Sequence, residues 1–175
     1  FKGCSALVSA SLPEGVTNIG AEAFNDCSQL PEVVLPSTLV AVGAEAFRNC
    51  DALTAIGLPN AAERIGARAF YDCNNLQNVS LSRNLGELPE QTFDSCGRLA
   101  SIVVPASVTN LGARVFGGAM KAAYYLGDAP TYDADVYAAT PSSLTTYVNY
   151  GTFGWDGLAH SRNLPPRWPV DNSYS

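Results

Sequence analysis

Leu30-Pro31-Glu32-Val33-Val34-Leu35-Pro36, continued by Val42-Gly43-Ala44-Glu45-Ala46-Phe47-Arg48-Asn49-Cys50, is the stretch that decides the fold. Its first half carries apolar residues at alternate positions, Val33 and Leu35, the pattern of a short strand with one buried face. Pro36 has no N–H and closes that strand's hydrogen-bond ladder. An extended stretch then leads to Val42-Gly43, where glycine permits a bend that a larger side chain resists. Residues 43–49 are helix formers but too few to be stable alone, so one or two helical turns pinned by Phe47 are predicted.

The stretch recurs. Phe1, Phe24, Phe47, Phe70, Phe93 and Phe116 are spaced by 23 residues. Three residues after each Phe come Cys4, Cys27, Cys50, Cys73 and Cys96, until Ala119 breaks the series. Leu7, Leu30, Leu53, Leu76 and Leu99 follow, with Ala122 expected in the sixth unit. The strand positions are Ala10, Val33, Ile56, Val79, Ile102 and Tyr125, then Leu12, Leu35, Leu58, Leu81 and Val104. Four of the last set precede proline, and Ser82 is the exception. Ile19-Gly20, Val42-Gly43, Ile65-Gly66, Leu88-Pro89 and Leu111-Gly112 punctuate the second half of each unit. A period of this length signals a solenoid, in which each unit buries its apolar face only against its neighbours. Burial contributes roughly 1.5–3 kcal/mol per large side chain, enough to offset the entropy of ordering.

After Phe116 the period loosens. A sixth strand is expected over 122–127 and a seventh over 144–149, separated by the turn signal Gly127-Asp128-Ala129-Pro130. The division is therefore a solenoid over 1–150, degenerate after 119, and a C-terminal cap over 151–175 that holds both Trp residues, Trp155 and Trp168. The opening at Phe1, in mid-pattern, reads as a cut through a longer array, whose exposed repeat edge is expected to self-associate. The fold class is thus α/β: a curved parallel sheet of about seven short strands, short helical turns or 3-10 segments on the other side, and a C-terminal cap.

Composition narrows the function. Of 175 residues, 47% are hydrophobic and 15% charged, which suits an ordered repeat fold and not a disordered chain. The net charge of -6 opposes binding to nucleic acid or to an anionic membrane. No apolar run reaches the roughly 18 residues of a transmembrane helix.

The unit L-x-x-[VI]-x-LP…[IV]-G-x-x-A-F-x-x-C resembles the BspA-type (Treponema pallidum type) leucine-rich repeat. Phe24-Asn25-Asp26-Cys27-Ser28-Gln29-Leu30 and Ile65-Gly66-Ala67-Arg68-Ala69-Phe70 carry the likeness most closely, strictly over 1–119 and loosely to about 150. The tail, with Tyr147-Val148, Gly154-Trp155 and Trp168-Pro169, resembles the ends that follow such repeats in bacterial surface proteins. The resemblance implies a leucine-rich-repeat solenoid in a secreted or surface-attached protein, with adhesion or host-protein binding in some members. It carries over no catalytic residue, cofactor or binding residue.

Residues that could carry chemistry are few. The five cysteines fit a ladder of small buried hydrophobes, because one phase accounts for all of them. Coils about 4.8 Å apart also lie within disulfide reach, so pairing stays open. Metal binding needs clustered ligands, and a spacing of 23 provides none. His160, the one histidine, falls in the aperiodic tail. No catalytic residue, metal ligand or cofactor is therefore expected, and the chain reads as a non-enzyme.

Alternation predicts the outward face of the strands, the usual binding surface of such solenoids. One column reads Ser9, Glu32, Ala55, Asn78, Ser101, Tyr124 and Thr146; the other reads Ser11, Val34, Gly57, Ser80, Val103, Leu126 and Val148. Glu32, Asn78, Tyr124, Leu126 and Thr146 are the candidate contacts for an unidentified protein or glycan ligand. Tyr124, Tyr147 and Trp155 suit anchors, or else pack the cap. Glu22, Glu45, Arg68, Gln91 and Arg114 read as a solvated face. The function expected is a non-catalytic binding or adhesion module. A structural spacer, or a carbohydrate-binding attachment to an enzyme, is the alternative.

Overall fold

A computed structural model describes residues 1–148 and 151–155, together with the backbone of 161–163. Strands follow one another as β1 (Asn18–Ile19), β2 (Ala41–Val42), β3 (Ala55–Gly57), β4 (Arg64–Ile65), β5 (Asn78–Ser80) and β6 (Glu87–Leu88). They continue as β7 (Ser101–Val104), β8 (Asn110–Leu111), β9 (Ala122–Tyr125), β10 (Thr131–Tyr132), β11 (Thr145–Val148) and β12 (Ser161–Asn163). All pairings between them are parallel, coil against coil.

The strands form two columns. The expected L-x-x-[VI]-x-L strands occupy the first: the bridge Ser11–Val34, then β3 with β5, then β7, β9, β11 and β12 in order. The Ile-Gly stretch, expected only to be extended, forms a second column of two-residue strands, β1-β2-β4 and β6-β8-β10. The gap between β4 and β6 has a covalent cause. Gly43, Gly66 and Gly112 donate their N–H to Ile19, Val42 and Leu88 of the preceding coil at 2.8–2.9 Å. Pro89 occupies the same position and has no N–H for Ile65.

Glycine in this column serves close approach more than bending. A Cβ on Gly66 would lie 2.6 Å from Ala44 Cα and from the Gly43 carbonyl carbon. A Cβ on Gly43 would lie 2.5 Å from Ala21 N, and one on Gly112 2.5 Å from Glu90 N. None of the three has a positive φ. Only the missing side chain lets successive coils come this near.

The third side of each coil is a run of tight turns. Bonds of the 3-10 type are present, such as Ala46 N–H to Gly43 O, Arg48 N–H to Glu45 O and Cys50 N–H to Phe47 O. The short-turn expectation therefore holds, but helical continuity does not. Glu22, Glu45, Arg68, Gln91 and Arg114 have φ of 51–57°, and Asp26, Asn49, Asp72 and Ser95 have φ of 57–62°. The reason is a competing set of hydrogen bonds. Glu45, Phe47 and Asn49 donate N–H to Ala67, Ala69 and Tyr71 of the next coil at 2.8–3.0 Å, and the neighbouring coils repeat the pattern. Turning alternate N–H groups outward requires a left-handed residue at each end of the strip. That conformation costs a non-glycine residue roughly 1–2 kcal/mol, which the inter-coil bond offsets.

Inside, every phase-locked column is a stack. Phe1, Phe24, Phe47, Phe70 and Phe93 lie ring on ring at centroid separations of 5.1–5.5 Å. Leu30, Leu53, Leu76 and Leu99 are buried beside them. Cys27, Cys50, Cys73 and Cys96 are buried and unpaired, and each thiol donates to a Phe carbonyl of the preceding coil. Cys4, in the first coil, is exposed.

The sixth coil departs from the expected alignment. Only four steps separate Phe116 from Met120, where six separate Phe93 from Leu99. Gly118, at φ 64°, makes the short turn against the Cys96 carbonyl. Met120, not Ala122, is therefore the buried residue in the Leu column, and β9 pairs with β7 as Ser101–Ala122, Ile102–Ala123, Val103–Tyr124 and Val104–Tyr125. The sheet also continues into the segment expected to be aperiodic, since β12 pairs with β11. His160, Trp168 and the run 164–169 lie outside the described residues.

Candidate functional site

The two-residue deletion in the sixth coil reorders the outward face. One outward column is Glu32, Ala55, Asn78, Ser101, Ala122 and Thr145; the other is Val34, Gly57, Ser80, Val103, Tyr124 and Tyr147. Glu32 and Asn78 point outward and are exposed, as expected. Tyr124 also lies on the outward face, but in the column expected for Leu126. Leu126 sits half-buried one residue past β9, its N–H on the Val104 carbonyl.

Thr146 is a correction. It pairs with Ala123 in the inward column and is 1% exposed, so it cannot belong to an outward contact surface. Val148, pairing with Tyr125, is likewise inward. The expected step of 22 between the sixth and seventh strands produces both misplacements, because the strands pair at 23 and a slip of one residue turns a side chain to the other face.

Thr146 instead helps to close the core. Tyr137 continues the aromatic stack, with its ring 5.9 Å from Phe116. Its hydroxyl lies 2.6 Å from that of buried Tyr125 and also bonds to Thr146. Burial pushes both phenols above their ordinary range, so the network stays neutral. Trp155, expected either as an anchor or as packing, packs: it is buried with its ring 4.9 Å from Tyr125, and its indole N–H donates to Thr152 Oγ1.

The aromatic feature of the outward face is Tyr124 on Tyr147, stacked at 4.8 Å with planes 15° apart. The register places Arg162 of β12 opposite Tyr147. Beside the tyrosines the face sinks into a depression of about 470 Å³, floored by Ala55, Gly57, Ser80 and Ser101. Small side chains on adjacent strands leave that space, and Val103 separates it from Tyr124 in the register. Glu32 and Val34 stand on the far side, with Val34 76% exposed. Sequence alone named Tyr124 and Tyr147 but did not pair them, because the expected 22-residue step set Thr146 opposite Tyr124.

The buried thiols are poor nucleophiles. Loss of water pushes Cys50 and Cys96 up to about 12, and Cys27 and Cys73 also upward. The thiolate is the reactive form, so these groups are inert at neutral pH. A thiol-specific reagent at pH 8 is expected to modify one thiol quickly, Cys4, and all five in denaturant. Two or more fast thiols in the native chain would contradict the buried ladder. The linkage has a definite sign. The folded-state values lie above the ordinary value of 9.0, so the contribution to stability is intact below about pH 9. It is lost as pH rises towards 12, where the unfolded chain releases protons that the folded one retains.

The turn side, expected as a plain solvated face, is a polar ladder. Glu45 pairs with Arg48 at 3.0 Å and lies 3.8 Å from Arg68, whose Nε donates to Gln91 at 2.7 Å. Gln91 donates to Asp94, which Arg114 meets at 2.9 Å. Among the described residues no group of three His, Cys, Asp or Glu side chains could hold a metal ion, and no helix is long and apolar enough to cross a membrane.

Comparisons agree with this architecture. Residues 1–122 match six copies of the BspA type leucine rich repeat region. A leucine-rich repeat protein from Bacteroides ovatus is similar, with a TM-score of 0.66 and 26% identity over 88% of this chain and 42% of its own. The T. pallidum leucine rich repeat protein gives a TM-score of 0.66 and 32% identity over 73% of this chain and 64% of its own. The pneumococcal vaccine antigen PcpA shares the fold at 20% identity and a TM-score of 0.54, over 66% of this chain and 35% of its own. The chain thus spans less than two thirds of the length of each. No curated protein matches. The chain belongs to the BspA type leucine rich repeat family.

Proposed function

We propose that this chain is a non-catalytic binding module of a secreted or surface-attached bacterial protein, and that it engages its ligand through the outward strand face. The observation that carries this reading is the stacked pair Tyr124–Tyr147 beside a depression floored by small side chains. Paired tyrosines supply large, rigid contact area with little conformational entropy to lose. The asymmetry supports a directed site: small residues at Ala55, Gly57 and Ser80 give way to aromatics two coils later. Glu32 and Asn78 extend the surface towards the first coils.

A second reading, a spacer within a larger protein, draws on one observation. The phenylalanine stack runs unbroken from Phe1 to Phe93 and ties each coil to the next. Surface binding to extracellular-matrix proteins and to a glycan array separates the two. Saturable binding is expected, and Tyr124→Ala with Tyr147→Ala should weaken it by roughly thirtyfold, the loss of about 2 kcal/mol typical of an aromatic anchor. Binding that survives both substitutions unchanged would refute the site. No saturable binding to any member of the panel would leave the spacer reading.

A further inference from the structure

Arg48 and Arg68 sit in successive coils on the turn side, away from the strand face, and with Tyr71 and Gln91 they line a cavity of about 210 Å³. At roughly 30 Å³ per water, that space holds several waters, or an oxyanion with part of its carrier. Arg48 is held in place from two directions. Its Nη1 pairs with Glu45 at 3.0 Å, and its guanidinium lies 5.5 Å from the Tyr71 ring centre. Yet its Nε is buried and has no acceptor among the described residues. A buried donor left unmade costs about 1–3 kcal/mol and leaves the Arg48 side chain short of partners on its cavity side.

Arg68 is also underused. Its Nε donates to Gln91, but its terminal nitrogens stand 3.8 Å from Glu45 and 3.4 Å from Glu90, and neither approach makes a hydrogen bond. Two guanidinium forks with unspent donors therefore border one polar hollow. Planar forks of this kind match the oxygens of a carboxylate or sulfate.

We infer that the hollow between Arg48 and Arg68 is a binding site for an oxyanion, a carboxylate or sulfate group, carried either as a free ion or on an acidic sugar. The Arg48 guanidinium edge that lines the hollow and the Arg68 terminal nitrogens donate to it, while the Tyr71 ring holds the Arg48 plane. Glu45 and Glu90 offset the two positive charges, so a free ion binds weakly. Glu45 competes directly for both arginines, and this gives the site a distinctive response. Removing the Glu45 charge strengthens anion binding, whereas a merely structural ion pair would show no such gain.

The test follows the arginine Nε–H resonances of the full chain by ¹⁵N-edited NMR. Sodium sulfate, sodium glucuronate and neutral glucose are titrated against sodium chloride at matched ionic strength. Sulfate and glucuronate should shift the Arg48 signal saturably, with chloride and glucose leaving it in place. Arg68→Gln keeps the reporter and should weaken binding at least tenfold, and Glu45→Gln should tighten it severalfold. Arg98→Gln, at an exposed arginine elsewhere, should change nothing. Tighter binding of glucuronate than of sulfate assigns the site to acidic sugars, and equal binding assigns it to free oxyanions. Shifts that match chloride, or that persist unaltered in Arg68→Gln, overturn the inference.

Discussion

Replacing Phe70 with alanine is expected to destabilise the chain by about 3–5 kcal/mol, the upper range for truncating one core side chain. Phe70 is fully buried, with its ring 5.3 Å from Phe47 and 5.5 Å from Phe93. The near-parallel rings fill one continuous channel, so the cavity left behind cannot close without moving two whole coils. Solenoid stability is approximately a sum over units and their interfaces, and Phe70 belongs to two interfaces. The loss is a large share of the total of about 5–15 kcal/mol typical of folded domains. Urea unfolding should show a sharply lowered midpoint for Phe70→Ala. Phe1→Ala is the control, because Phe1 is 68% exposed and stacks on one side only. Equal midpoints for the two variants would show that the stack is not the stabilising element.

Gly66→Ala is the second large effect. The added methyl would lie 2.6 Å from Ala44 Cα and from the Gly43 carbonyl carbon, and backbone cannot swing aside as a side chain can. The coils must separate locally, which weakens the Gly66 N–H bond to Val42 at 2.8 Å. A destabilisation at or above the upper end of about 1–3 kcal/mol for overpacking is expected. Gly20 and Gly86 have no atom within 4 Å of such a methyl, so Gly20→Ala and Gly86→Ala should be near neutral. Thermal unfolding of the three variants decides the point. If Gly66→Ala melts with the controls, close approach of the coils does not explain the glycine.

How much of the candidate sites is legible in the sequence varies with the residue. Alternation places Glu32 and Asn78 correctly, because the period holds through the first five coils. It misplaces Leu126 because the turn after Phe116 is two residues shorter, and Thr146 because the expected step is 22 residues where β9 and β11 pair at 23. The tyrosine pair lies in one outward column because 23 residues separate Tyr124 from Tyr147, a pairing that the expected 22-residue step between those strands hides. The arginine hollow is invisible in the sequence for a different reason. Arg48 and Arg68 belong to different columns of adjacent coils, and the Arg68 column taken alone reads as a solvated face.

Residue phase by itself determined the solenoid, its 23-residue period, the inward Phe, Cys, Leu and Ile columns and the position of the first strand column. Those follow from chemistry repeated in register, since a unit that cannot bury its own apolar face must stack. Tertiary structure alone decided the turn strip. Ala44-Glu45-Ala46-Phe47 has the composition of a helix, yet Glu45 and Asn49 adopt φ of 54° and 57°. Their N–H groups bond to the next coil, where a lone helical turn would leave its first N–H groups without intrahelical partners. The same closeness of coils leaves Gly43 and Gly66 no room for a side chain. Local propensity is worth tenths of a kcal/mol per residue, and a repeated inter-coil hydrogen bond outweighs it.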